Sequence, residues 1–303
     1  MIIWIASYPK SGNTWIRSFI TAYYFCDNGV FDISKLNLIA DYPNKQFFRE
    51  TVKQGEIHKH WESSQKDICD QKIAKFLKTH NSLITAFGYD FTKPKYSLGV
   101  IYIIRDPRNV ITSVKNHNDL ESYDKALEFM QDENKVLEDY PHLKNYAKTN
   151  IVNSWRINYQ SWLSNKSFKK LIIRYEDMVK NPQQTFEKLV IFVNTLLGLK
   201  DKIDQKKLNN SIETTDFKSL QDIENQGKFG ENVYSLKDNR KIKFFYQGPK
   251  NDWKKNLDKK MIEKMSKYYE KDLKFFRYEI YENKLVNYRM SWKNGTTINN
   301  VRY

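Results

Sequence analysis

The chain has 303 residues, 40% of them hydrophobic and 29% charged, enough to bury a core as one large α/β domain or two small ones. Its formal net charge of +15 suits anionic partners, yet the lysines are mixed with acids, as in KKNLDKKMIEKMSKYYEKDLK, so most of the excess reads as solvated surface. No basic stripe or recognisable nucleic-acid module is present, which sets nucleic-acid binding aside.

IIWIAS, from Ile2, is a short branched apolar run of the kind a buried parallel strand requires. MIIWIA is too short for a signal peptide or a membrane span and no basic leader precedes it, so a cytoplasmic protein is expected. The turn SYPKSGN comes next, and TWIRSFITAYYF then has helical spacing; strand, turn and helix make half of a βαβ unit. Residues 27–70 look polar and irregular. AKFLKTH predicts a second strand and LGVIYIIRDP a third. DPRNVITSVKNH predicts a helix with Asp106 as N-cap and Pro107 in its first turn.

Residues 122–162 look largely helical. KKLIIRYED predicts a fourth strand, and NPQQTFEKLVIFVNTLLGL a helix with Asn181 as cap and Pro182 at its start. Residues 210–252 look like long loops around a short helix at FKSLQDIEN, and a final helix after Asp258 carries MIEKMSKYYEKDLKFF. With only Cys26 and Cys69, no disulfide framework and no metal cluster is expected. Without repeats or linkers, one α/β domain with a central parallel sheet flanked by helices is the economical architecture.

The first turn suits an oxyanion. A strand feeding a Ser–Gly turn into a helix aims backbone N–H groups and the helix dipole at one spot. Lys10 adds a charge, and Ser11, Asn13 and Thr14 add donors around Gly12. The nucleotide-phosphate loop G-x-x-x-x-G-K-[ST] carries its Lys after a second Gly; here Lys10 precedes the only one. G-x-G-x-x-G is also missing, so a dinucleotide site is disfavoured. Taken alone, the turn could equally be an ordinary strand-to-helix junction.

RDPRNVITS is a second candidate. Arg105 closes a buried strand, where open α/β sheets bind ligands, and its guanidinium suits bidentate phosphate contact; Ser113 lies eight residues on. A surface Arg capping a helix is the plain alternative. KTH is the third. Lys78 and His80 lie two apart on a strand end and share a face. A neighbouring ammonium lowers the histidine pKa and keeps the imidazole unprotonated near neutral pH, so the pair can supply a base and a cation.

The ordered set YPKSGNTW, KTH, RDPRNVITS and RYED resembles the sulfotransferases that use 3′-phosphoadenosine 5′-phosphosulfate (PAPS), nearest the cytosolic small-molecule type. The resemblance runs from residue 3 to about residue 273, and GPKNDWK is similar to the family's last motif, R-K-G-x-x-G-D-W-K. It implies a P-loop-like sulfotransferase fold over 1–280 with a tail at 281–303. It also implies in-line transfer from PAPS, releasing PAP, to an acceptor hydroxyl on a small alcohol, phenol or saccharide, without a metal. Lys10 to Thr14 would cradle the 5′-phosphosulfate, with Lys10 at the leaving oxygen, and Trp15 would lie near the adenine. Arg105 and Ser113 would hold the 3′-phosphate. Tyr175, Thr215 and Phe217 would contact the base. Lys78 would steady the sulfuryl oxygens, and His80 would be the general base.

Two departures stand out. Tyr246-Gln247-Gly248 replaces Arg-Lys-Gly in the PAPS loop, and Asn251 replaces the next glycine. Arg240, Lys241, Lys243 and Lys250 are candidates to compensate for the lost Arg. The family's C-terminal dimerisation signature is not evident after Trp253, so no oligomeric state is inferred. The acceptor pocket is expected from 27–70, 122–150 and 226–243, whose aromatics Phe47, Phe48, Trp61, Phe129, Tyr140, Phe229 and Tyr234 would suit an apolar acceptor or a sugar face, or be core. A P-loop kinase would need a Walker lysine and a carboxylate for Mg²⁺, and neither is recognisable. A member that binds PAP without turnover is opposed by intact Lys10, Lys78 and His80.

Overall fold

Alternate residues of the first strand, β1 (Ile2–Ser7), face opposite sides of a sheet, and both sides are apolar. Ile2, Trp4 and Ala6 join one core cluster, while Ile3 and Ile5 join another. A strand buried on both faces belongs inside a parallel sheet. The computed structural model, which describes residues 1–48, 56–138, 149–200, 202–231, 233–235 and 237–281, places it there.

After β1 come α1 (Asn13–Ile20), a π-helical turn at Thr21–Phe25, the two-residue strand β2 (Ala40–Asp41), α2 (Trp61–Asp70) and β3 (Lys75–Thr79). A hairpin of β4 (Thr85–Ala86) and β5 (Tyr89–Asp90) leads to β6 (Ser97–Ile104) and α3 (Pro107–His117). Next are α4 (Tyr123–Gln131), the antiparallel pair β7 (Val136–Glu138) and β8 (Thr149–Ile151), α5 (Trp155–Ser164) and β9 (Lys169–Arg174). The rest is α6 (Tyr175–Lys180), α7 (Pro182–Leu197), α8 (Gln205–Thr214), α9 (Phe217–Asn225), the hairpin β10 (Val233–Tyr234) with β11 (Lys241–Ile242), then α10 (Trp253–Asn256), α11 (Lys259–Tyr268) and α12 (Glu270–Phe275).

The central sheet is parallel throughout, in the order β2-β3-β1-β6-β9. Its carboxyl ends lie in register: Ala6 opposite Thr79, Ser7 opposite Ile103, and Ile104 opposite Arg174. The segments that leave those ends are YPKSGN, His80, Arg105 and Tyr175, all along the one edge where open α/β sheets bind ligands.

Several expectations need correction. Residues 27–70 are not irregular throughout: they contain β2 and α2. The buried face of α2 includes Ser64 and Gln65, whose side chains bond the Tyr42 hydroxyl (2.7 Å) and the Phe91 carbonyl (2.6 Å). A helix that buries polar groups shows little hydrophobic periodicity. The 122–162 stretch is two helices around the β7–β8 ribbon, whose strands are too short to show alternation.

Residues 210–252 begin inside α8 and contain the β10–β11 hairpin besides the expected helix. The final helix breaks at Tyr269 into α11 and α12. Asn181 makes no side-chain cap bond to α7; instead its N–H closes α6 on the Asp177 carbonyl (2.8 Å). The tail after Tyr281 and the aromatic Tyr140 lie outside the described residues.

The Asp106 cap, in contrast, forms as expected and does more than cap. Its Oδ1 accepts from Arg108 N (2.9 Å) and Arg108 Nε (3.0 Å), and Oδ2 accepts from Nη2 at 2.7 Å. Arg108 is fully buried, with its guanidinium over Trp253 at 4.0 Å. Removing Asp106 would strand a buried cation, a loss of about 3–5 kcal/mol where such pairs are broken. Asp106→Ala is therefore expected to lower the urea-unfolding free energy by about that amount, and a loss under about 1 kcal/mol would refute this account of the start of α3.

Candidate active site

The turn after β1 is shaped by two left-handed residues, Lys10 (φ 67) and Gly12 (φ 104). A Cβ on Gly12 would lie 2.6 Å from the Tyr175 ring, so only glycine lets the turn approach α6 this closely. The Gly12 carbonyl accepts from Trp15 N (3.1 Å) and starts α1. Asn13 is committed internally: its amide donates to the Ile5 carbonyl (3.0 Å) and Ser7 Oγ (3.1 Å), tying α1 to the end of β1. Thr14 is buried, and Trp15 packs edge-on against Tyr175, 5.7 Å between rings.

Arg105 joins the turn to two other segments. Its Nη1 donates to the Lys10 carbonyl and its Nη2 to the Gly248 carbonyl, each at 3.2 Å, while the guanidinium lies 3.9 Å over Tyr175. A Cβ on Gly248 would come within 2.4 Å of three Phe217 ring atoms. Lys10, Gly12, Arg105, Tyr175, Phe217 and Gly248 therefore form one contiguous surface. Among the described residues, Ser11 Oγ and Arg105 Nε are buried with no protein partner. Buried donors without partners are costly, and an anion at this spot would satisfy them.

The remaining expected contacts are less direct. Ser113 is half-buried on α3. Thr215 is fully buried and spends its hydroxyl hydrogen on the Ser211 carbonyl (2.6 Å). Tyr246 is exposed, while Gln247 accepts from the Asn256 amide (2.9 Å). Asn251 donates to the Asn109 carbonyl (2.7 Å), and Asn109 Oδ1 accepts from Trp253 N (2.9 Å). The two departures from the family pattern thus sit in an amide network that pins the 246–253 loop to α3. Of the candidate compensating cations, Arg240 is engaged with Asp119 and Asp238, and Lys241, Lys243 and Lys250 are exposed.

On the other side of β1, His80 Nδ1 lies 2.8 Å from the Ser7 carbonyl. A carbonyl oxygen only accepts, so Nδ1 carries the hydrogen and the neutral ring has its lone pair on Nε2. Asn158 donates to the His80 carbonyl (3.0 Å) and steadies its backbone. Lys78 pairs with Asp41 at 3.1 Å.

Five further residues were not singled out in the sequence. Arg17 and Glu231 form an ion pair, and although burial opposes ionisation, Arg17 and Lys78 hold the Glu231 carboxyl down to about 2. His117 Nδ1 lies 3.2 Å from Lys10 Nζ, which also sits 4.0 Å over the Phe244 ring. Glu224 is buried and accepts from both Phe244 N and Phe245 N. Desolvation is the main cause that brings the Lys10 ammonium down to about 7, with Lys78 and Arg105 adding to it and Glu231 opposing it. His117 had a sequence signal, being four residues past Ser113 on one helical face. Glu231 had none, since its partner is 214 residues away.

Of the aromatics expected to line an acceptor pocket, Trp61 and Phe229 are buried in the two cores, and Phe47 and Phe129 pack partly against one of them. Phe48 is half-buried beside Ile57, and Tyr234 is half exposed. No helix among the described residues is long and apolar enough to cross a membrane.

Comparison with known proteins gives one result at several levels. The sequence model described as "Sulfotransferase domain" matches residues 2–277. Human "Sulfotransferase 1E1" is 25% identical over 284 residues, spanning 89% of this chain and 83% of that protein. "Flavonol 3-sulfotransferase" of Flaveria bidentis is 26% identical over 285 residues, 88% and 79% of the two chains. Among solved structures, retinol dehydratase in a complex with retinol and PAP shares the fold, with TM-score 0.58 at 16% identity over 90% of this chain and 81% of that one. Mouse sulfotransferase SULT7A1 complexed with PAP gives TM-score 0.52 at 18% identity, over 90% and 84%.

The turn's geometry yields a test by contrast. Gly12 and Gly88 both have positive φ, but Gly88 has open space around its Cβ position. Gly88→Ala is expected to cost about 1 kcal/mol for the backbone alone, and Gly12→Ala about 3 kcal/mol or more because Tyr175 must also move. Equal losses in urea unfolding would show that the Tyr175 approach is not tight.

Proposed function

The chain belongs to the sulfotransferase domain family, and on that premise we propose that it moves the sulfuryl group of PAPS to the hydroxyl of a small alcohol or phenol. The observation that carries the reading is Arg105 bridging the Lys10 and Gly248 carbonyls, with unpartnered Ser11 Oγ and Arg105 Nε beside them. Those donors fit a doubly phosphorylated nucleotide. PAP in the solved relatives supports the donor, and the names flavonol and retinol support the acceptor class.

PAPS, when bound, supplies the sulfuryl group and leaves as the anion PAP. The chain's own residues do the rest. Arg105 and Ser113 hold the 3′-phosphate, and Tyr175 and Phe217 border the base. The N–H groups at the start of α1, with Ser11 Oγ and Lys10, face the 5′-phosphosulfate and stabilise charge on the leaving oxygen; preorganised donors of this kind are worth roughly 3–4 kcal/mol each. Lys78, held by Asp41, faces the sulfuryl oxygens. His80, fixed through Nδ1 by the Ser7 carbonyl, takes the acceptor's proton at Nε2, a contribution on the order of 10²–10⁴-fold.

Two measurements test this. His80→Ala is expected to lower transfer from labelled PAPS by about 10²-fold or more while PAP affinity stays within about twofold; retained turnover removes His80 from its role. The second uses Lys10. A bound phosphate anion raises its pKa from about 7, so PAP binding takes up a proton and weakens as pH rises above that value. Calorimetry in buffers of different ionisation enthalpy reads the uptake, and Lys10→Met is expected to abolish it. Uptake that survives the substitution assigns the proton elsewhere.

A further inference from the structure

Lys10 forms no ion pair among the described residues; its ammonium meets a neutral ring nitrogen and an aromatic face instead. An ammonium only donates, so His117 Nδ1 is the acceptor and the imidazole hydrogen sits on Nε2. Burial, with Lys10, His80 and Lys78 adding to it, pushes His117 down to about 2, so the ring stays neutral at working pH. The charged and titratable groups around the pair are Lys78 and His80 from the β3 end, Arg105 from the β6 end, and Glu224 and Glu231 at and after the end of α9. A carboxylate at this place would neutralise the cation and compete with an incoming anion. An imidazole holds the ammonium and leaves its charge available.

The support for this arrangement comes from two elements. His117 lies four residues after Ser113 on α3, the helix that Arg105 precedes, so one rigid element serves both phosphate-facing places. Asn116 beside it donates to the Lys243 carbonyl (3.2 Å), joining the end of α3 to the segment that carries Phe244. Phe244 is itself fixed by Glu224, which accepts from its N–H and from that of Phe245, and its ring stands edge-on to His117 at 5.9 Å.

We infer that His117 is a positioning residue for the transfer reaction: together with Phe244 it holds the Lys10 ammonium where the leaving phosphate oxygen forms. This rests on the sulfotransferase reading above. It adds a residue that acts through Lys10 and touches neither donor nor acceptor.

Two variants and two readouts test it. His117→Asn keeps an acceptor close to the Nδ1 position, and His117→Leu removes it. With PAPS and an accepted alcohol or phenol, the Leu variant is expected to lose kcat on the order of 10–100-fold with acceptor KM within about twofold, and the Asn variant to recover most of the loss. The alkaline limb of the PAPS kcat/KM profile is expected to move to lower pH in the Leu variant, because losing the acceptor destabilises the charged lysine. A purely structural role would lower both variants together and leave the limb in place, and that result overturns the inference. The second readout needs no donor. In ¹⁵N spectra His117 Nδ1 is expected to appear as a lone-pair nitrogen down to about pH 5 and to shift in Lys10→Met; a protonated Nδ1 overturns the inference directly. A wild-type protein that transfers nothing from PAPS refutes the proposed function itself. A wild type that transfers normally while both variants match it refutes only the role of His117.

Discussion

Arg105 is the contact on which the rest of the site depends. One guanidinium donates to the Lys10 carbonyl, donates to the Gly248 carbonyl and lies flat on Tyr175. These partners come from the turn after β1, the loop before α10 and the start of α6, three segments that this one side chain joins directly. A Lys in this position could make one such bond, but its ammonium has neither the fork nor the flat face. The interior strand β6 fixes where Arg105 starts, so the sheet sets the position of the whole assembly.

Around that contact the site holds cations close together and offsets them unequally. Lys78 has Asp41 and Arg17 has Glu231, while among the described residues Lys10 has only neutral partners within hydrogen-bond or ring contact. Its depressed pKa comes mainly from burial, with the Lys78 and Arg105 charges adding to it. An anion entering the turn meets the least satisfied charge first, together with the unpartnered Ser11 Oγ and Arg105 Nε. Attraction there is strengthened by burial, because the protein has borne part of the desolvation before any ligand arrives.

Much of this is legible in the sequence, because strand ends are local features. IIWIAS and LGVIYII have the apolar continuity of buried strands, and the residues just past each strand end had to lie at the sheet's edge. Asp106 with Pro107 announced α3. The misses share a cause, which is that side chains met across long separations leave no local pattern. α2 is hidden because Ser64 and Gln65 are buried by polar contacts. Glu231, Glu224 and Phe244 matter only through partners that folding brings to them. Trp61 and Phe229 could be read equally as pocket walls or as core, because composition marks an aromatic without saying which side of the core it faces.

The Glu231–Arg17 pair spans 214 residues, Arg105 to Gly248 spans 143, and Lys10 to His117 spans 107. Each closes a long loop, and the entropy of closure must be met before the contact returns any energy. Sheet strands and their helices can form from nearer neighbours as synthesis proceeds. The cation cluster cannot, since Glu231, Phe244 and Gly248 leave the ribosome after the anion turn has long been exposed. The turn after β1 therefore passes through synthesis unfinished, and the proposed anion site is complete only when the last quarter of the chain folds back across it.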